Sequence, residues 1–215
     1  MIKAIIFDLD GVLVTTDELH FKAWKELSNI LGIEGYTRAD NMRQRGVSRM
    51  ESLDIVLEKS DRQYTYEEKL ELSNIKNKIY LKMLESLSKN DVLPGVSEFI
   101  SYIKKRGIKT AVGSASKNTW IILEKIQLCD KFDAVSCGLD TSRSKPDPEV
   151  FLIAARKLGI APEECAVIED SDTGIKAATA GGMYAIAVGA AADNPMAYAS
   201  VSSAKNLYRI IKLFV

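Results

Sequence analysis

Two aspartates, Asp8 and Asp10, lie within the run IIFDLDGVL from Ile5 to Leu13. Carboxylates at that spacing can converge on one metal ion or on one reacting group, one attacking while the other moves a proton. Further groups suited to phosphate or metal recur along the chain: Ser114 in GSAS, Lys145 in SKPDP, and the adjacent pair Glu169 and Asp170 in IEDSD. Asp, Gly and Ser are also common turn formers, so each stretch alone reads equally as a polar loop. The chemistry depends on whether the fold brings them together.

The surrounding pattern predicts that it does. Four apolar residues before Asp8 read as a short strand buried on both faces, the form of a central parallel strand. Lys109–Val112, 132–136, Cys165–Ile168 and Tyr184–Val188 are the further strands, with helices expected over 96–106, 118–128, 148–159 and 174–180. This alternation predicts an α/β fold, a Rossmann-like doubly wound parallel sheet whose strand ends share one edge. Asp8, Asp10, Ser114, Glu169 and Asp170 all follow such strand ends, and Lys145 lies in a loop that opens a helix.

Residues 15–92 contain no strand pattern. Helices are expected over 16–31, 50–59 and 66–87, the last with Leu70, Ile75, Ile79, Leu81, Met83 and Leu84 as its apolar positions. A helical block of this length exceeds a plain crossover, so it reads as a cap inserted in a core formed by 1–14 and 93–215. The tail from Ala190 carries weak signals before a helix over 204–213.

Composition narrows the function. The 215 residues carry 29 basic and 29 acidic side chains, which argues against nucleic acid or an anionic membrane as the partner. No apolar run is long enough to cross a bilayer and none resembles a secretory signal, so a cytoplasmic protein acting on a small molecule is expected. Three widely spaced cysteines fit a reducing compartment, and a single histidine, His20, argues against a His-based zinc site. Four converging carboxylates would repel one another by roughly 4 kcal/mol per pair at 4 Å and an effective dielectric of 20. A bound cation makes the arrangement tenable, and an all-oxygen donor set favours Mg²⁺. Asp8 can then attack phosphorus to form an aspartyl phosphate, Asp10 can serve the leaving oxygen as acid and the incoming hydroxyl as base, and the Ser114 hydroxyl and Lys145 can steady the phosphate.

DLDGVL, GSAS, SKPDP and IEDSDTGIKAATAGG, in that order, resemble the haloacid dehalogenase-like superfamily along almost the whole chain. The resemblance implies Asp8 as nucleophile and Asp10 as acid/base. It also implies Mg²⁺ ligation by Asp8, the Asp10 backbone carbonyl, Glu169 and Asp170. Within the block, Thr16, His20 and Trp24 are spaced four apart and share a helical stripe that starts close to Asp10. HFKAW, GVSRMESL, the pair Lys76–Asn77 and SASKN resemble the β-phosphoglucomutases of that superfamily. By that likeness Gly46, Val47 and Arg49, with Ala115, Ser116, Lys117 and Asn118, would bind the substrate and hold the phosphate remote from the metal. His20 and Lys76 would orient the cap and the sugar hydroxyls, and Trp24 can stack on the sugar.

The implied reaction interconverts β-D-glucose 1-phosphate and glucose 6-phosphate through a glucose 1,6-bisphosphate, in a monomer. A phosphatase acting on a sugar or other small phosphate would share every core residue, and a non-catalytic sugar-phosphate-binding protein is a third alternative. Thr15 departs from the aspartate usual in those mutases, and 190–203 lacks their acidic, β-rich character.

Overall fold

In the computed structural model, which describes residues 1–210, a six-stranded parallel sheet forms the centre, in the order β3-β2-β1-β4-β5-β6. The strands are β1 (Ala4–Phe7), β2 (Lys109–Gly113), β3 (Ala134–Ser136), β4 (Cys165–Glu169), β5 (Tyr184–Val188) and β6 (Ala199–Val201). β1 lies between β2 and β4, with Phe7 opposite Val112 on one side and Ile168 on the other. Its side chains alternate between two cores as strand geometry dictates: Ile5 and Phe7 enter one, Ala4 and Ile6 the other.

Helices cover both faces. α5 (Val96–Lys104) and α6 (Thr119–Lys125) bring Phe99, Ile103, Ile122 and Leu123 onto the first face. α7 (Glu149–Leu158) and α8 (Asp172–Ala180) bring Phe151, Ala154, Ile175 and Ala178 onto the second. Because all strands run the same way, the segments after β1, β2 and β4 emerge at one edge.

Between β1 and β2 lie α1 (Asp17–Ile30), α2 (Arg38–Arg43), α3 (Arg49–Leu57) and α4 (Tyr66–Leu84). Trp24, Leu27, Ile33, Tyr36, Leu53, Val56 and Leu57 make a core of their own there. Ala23, Tyr80 and Leu84 instead join the sheet's first core, so α1 and α4 form the stem that carries the block.

Three expectations need correction. α2 falls outside the helices expected from the sequence, although Thr37 and Asp40 form a capping box that marks its start. On α4 the buried positions are Ser73, Lys76, Tyr80 and Leu84, while Leu70 and Ile75 are exposed. The stripe follows the i, i+3, i+4 geometry of contact with α1, whereas the apolar residues alone pointed to a different face. In the tail, β6 pairs in parallel with β5 through Ala187 and Ser200. The expected helix is a 3-10 segment over Ala204–Arg209 as far as it is described, and 211–213 lie outside the described residues.

Candidate active site

β1 ends at Phe7, and Asp8 is the next residue, its backbone N–H donating to the Ile168 carbonyl of the neighbouring strand at 2.9 Å. Gly11 turns the chain with φ +77°, and a Cβ there would lie 2.0 Å from Asp170 Oδ2. Only glycine lets the turn press against that carboxylate. β4 ends at Glu169, whose Oε2 accepts from the Ser171 N–H at 2.7 Å and its hydroxyl at 2.9 Å. Ser171 also caps α8, accepting from the Gly174 N–H. A Cβ on Gly174 would sit 1.9 Å from the Glu169 carboxyl carbon, so this position keeps space for the acid.

Carboxylate oxygens of Asp8, Glu169 and Asp170 lie within 4.8 Å of one another. Lys145 Nζ donates to Asp8 Oδ1 at 2.6 Å and to Glu169 Oε1 at 2.5 Å. Burial pulls the ammonium down, yet Asp8 and Glu169 outweigh it and hold Lys145 protonated. One cation cannot neutralise three acids. Burial, offset in part by Lys145 and aggravated by Glu169, raises Asp8 to about 7. Burial and the neighbouring Glu169 and Asp8 raise Asp170 to about 8. An oxygen-only donor set carrying this much mutual repulsion fits a hard divalent cation, held by Asp8, Glu169 and Asp170.

Asp10 is held differently. Its Oδ1 accepts from the Thr16 N–H at 3.0 Å and from the Thr16 hydroxyl, which in turn accepts from Tyr80 at 2.9 Å. Thr16 precedes α1 as its N-cap residue but spends its hydroxyl on Asp10 instead of on the helix. Burial raises the Asp10 carboxyl above its ordinary range, and the two Thr16 bonds oppose that rise.

A cavity of about 360 Å³ lies between the strand ends and the helical block. Asp8, Asp10, Ser114, Lys145, Glu169 and Asp170 line it from the sheet side together with Ala115, Ser116, Lys117 and Asn118; His20, Trp24, Gly46, Val47, Arg49 and Lys76 line it from the block. Thr16 is fully buried behind Asp10 and does not reach the cavity. Ser114 and Ser116 build the turn after β2: Ser114 Oγ accepts from the Ser116 N–H at 3.1 Å, and Ser116 Oγ from the Asn118 N–H at 3.2 Å. Lys76 Nζ is 2.8 Å from His20 Nδ1 and 4.5 Å from the ring centroids of both Trp24 and Tyr80.

Several lining residues were not singled out from sequence. Arg45 pairs with Asp17 at 3.3 Å, and Asp17 accepts from Asn41 at 2.8 Å. Arg45 directly precedes the GVSR stretch, the one signal that could have marked it. Besides the Thr16 bonds to Asp10, hydrogen bonds join block to core where Asn118 Nδ2 donates to Asn77 Oδ1 at 2.9 Å and the Thr173 hydroxyl to the Arg45 carbonyl at 3.4 Å. Gly46, at φ +75°, passes so close that a Cβ would meet the Thr173 hydroxyl at 2.3 Å.

Known proteins resemble this chain in sequence and in fold. Residues 2–182 match the family model of the haloacid dehalogenase-like hydrolases. The chain is 40% identical over 189 residues to a β-phosphoglucomutase of Bacillus subtilis, covering 87% of this chain and 83% of the relative. It is 32% identical to a phosphorylated carbohydrates phosphatase of Thermotoga maritima, covering 86% and 83%. A crystal structure of β-phosphoglucomutase from Clostridium difficile superposes with a TM-score of 0.94 at 35% identity, covering 100% of this chain and 97% of that one.

Proposed function

Because the chain belongs to the haloacid dehalogenase-like hydrolase family, we propose that its cavity interconverts β-D-glucose 1-phosphate and glucose 6-phosphate. The observation that carries this reading is one cavity lined by two separate sets of charge. The first is the acidic triad with Lys145; the second is Arg49, Lys76 and Lys117. A hydrolase needs a single phosphate site, whereas a bisphosphate intermediate needs two, and an Arg fork suits the second.

In this reading Asp8 begins the cycle as its aspartyl phosphate, and the 6-hydroxyl of β-glucose 1-phosphate attacks that phosphorus as the bond from Asp8 breaks, while Asp10 takes the hydroxyl proton. The product is glucose 1,6-bisphosphate, which turns between the two anion sites. An Asp8 oxygen then attacks the phosphorus on O1 as its bond to that oxygen breaks, Asp10 returns the proton to O1, and glucose 6-phosphate leaves with the aspartyl phosphate restored. Asp10 suits this exchange because burial lets its carboxyl hold a proton while Thr16 fixes its direction. Mg²⁺ bound by Asp8, the Asp10 backbone carbonyl, Glu169 and Asp170 would draw charge from the phosphoryl oxygens. Lys145 and Ser114 would hold those oxygens in line with Asp8.

The block of residues 15–92 serves as a cap that keeps water from the phosphoenzyme, in a cytoplasmic monomer. Hydrolysis of a sugar phosphate is the second reading, favoured by the phosphatase relative. A coupled assay for glucose 6-phosphate from β-glucose 1-phosphate with catalytic bisphosphate, run beside phosphate release, separates them. Isomerisation outrunning release supports the mutase; release alone assigns a phosphatase. Arg49→Ala should weaken bisphosphate binding by about tenfold or more, as expected for a lost charge-assisted pair. Unchanged affinity would remove the second anion site.

A further inference from the structure

We propose that the Lys76–His20 pair takes up a proton when the phosphoryl group remote from the acidic triad binds, so that the second anion site becomes fully charged only around a dianion. The inference rests on the two-site reading above and adds to it a change in protonation at that site.

Lys76 and Lys145 make a comparison within one cavity. Each is 2% exposed. Lys145 touches two carboxylates. Lys76 has no ion pair among the described residues; its nearest polar partner is the imidazole of His20 at 2.8 Å. Two cations do not share such a contact, so the pair carries at most one extra proton. The faces of Trp24 and Tyr80 attract an ammonium but cannot replace a counter-ion.

The surrounding charges come from three elements. Arg49 at the start of α3 opposes a charge on either member, Asp10 beyond β1 favours the ammonium, and Tyr80 on α4 is held as a neutral phenol, chiefly by burial. Burial is the largest influence on both Lys76 and His20, and it pulls each well below its ordinary range. The empty pair therefore gives up its proton readily. A dianion beside Arg49 and Lys76 reverses the local potential and draws the proton back. Charging the site on demand leaves the unliganded cavity without a buried, unpaired ammonium.

Sulfate is a suitable probe, since it stays a dianion through the neutral range and contributes no proton of its own. Calorimetric titration of the Mg²⁺-saturated protein with sulfate, in two buffers of different ionisation enthalpy, counts the protons taken up. On the alkaline side uptake should approach about one proton per sulfate, and Kd should rise about tenfold per pH unit. Lys76→Arg, whose guanidinium stays charged, should bind sulfate with little uptake and a flat Kd profile. His20→Gln, which offers Lys76 a carbonyl acceptor, should also reduce the uptake and serves if the arginine does not fold. Absence of uptake in the unaltered protein, or uptake undiminished in the variants, overturns the proposal. Loss of isomerisation with uptake intact would instead overturn the mutase reading alone.

Discussion

Asp8 and Asp10 are two residues apart and differ in what surrounds them. Asp8 sits among Lys145, Glu169 and Asp170, whereas Asp10 is tied to Thr16. The expected result of Asp8→Asn is loss of the phosphoenzyme, read by trapping with labelled substrate. Asp10→Asn should still form it, slowed by about 10²- to 10⁴-fold, the usual range for a lost general acid. The raised carboxyls also make stability depend on pH. With Asp8 at about 7 and Asp170 at about 8, the folded, metal-free chain keeps protons that the unfolded chain releases near the ordinary value of 3.8. Folded protein then binds more protons than unfolded, so stability falls as pH rises from about 4 to 8, by up to about 1.4 kcal/mol per pH unit for each proton. Thermal melts of chelator-treated protein should show Tm falling by roughly 3 °C per pH unit and proton over that window. Saturating Mg²⁺ should raise Tm most at the alkaline end; a flat profile without metal would contradict the crowding of these acids.

At the scale of elements, the site depends on how closely strand ends and helix starts approach. α8 begins against the acid that ends β4, and Gly174 is the residue that permits it. Its backbone is not in the left-handed region, so Gly174→Ala tests sterics alone. The added methyl should push Glu169 aside and weaken Mg²⁺ binding by about 10- to 100-fold, the effect typical of disturbing groups that orient metal ligands. Calorimetric titration with Mg²⁺ checks it. α4 makes a similar point from the other side: it buries Lys76 and Tyr80 while leaving Leu70 and Ile75 exposed. Its inner face is chosen by what the cavity and α1 require of it, and hydrophobicity is secondary.

Across the whole molecule, the helical block meets the sheet by few direct hydrogen bonds, of which Asn77 to Asn118 bridges the long helix and the turn after β2. If the block acts as a cap, these bonds bias it towards the closed arrangement. Asn77→Ala should then raise phosphate release relative to isomerisation by several-fold, consistent with loss of a hydrogen bond of about 1 kcal/mol. The ratio is measured on one sample by following both products. Change in overall rate at constant ratio would mean that the bond does not govern water access.

Local rules were enough to read the parallel sheet, because four apolar residues ending in Asp and strands alternating with helices leave few other topologies. They also marked the acids at the strand ends, since chain direction in a parallel sheet puts those ends on one edge. The motifs identified the family for a related reason: their order along the chain mirrors the order of strand ends. α2, β6 and the inner face of α4 escaped that reading. β6 is three residues long and held by pairing with β5, and the face of α4 is set by contact with α1. The tertiary structure alone decided which cations have counter-ions. Lys145 and Lys76 are both lysines in polar stretches of sequence, and only folding gives one two carboxylates and the other an imidazole. Partners 24 to 137 residues apart are chosen by packing, and no spacing rule along the chain reaches that far.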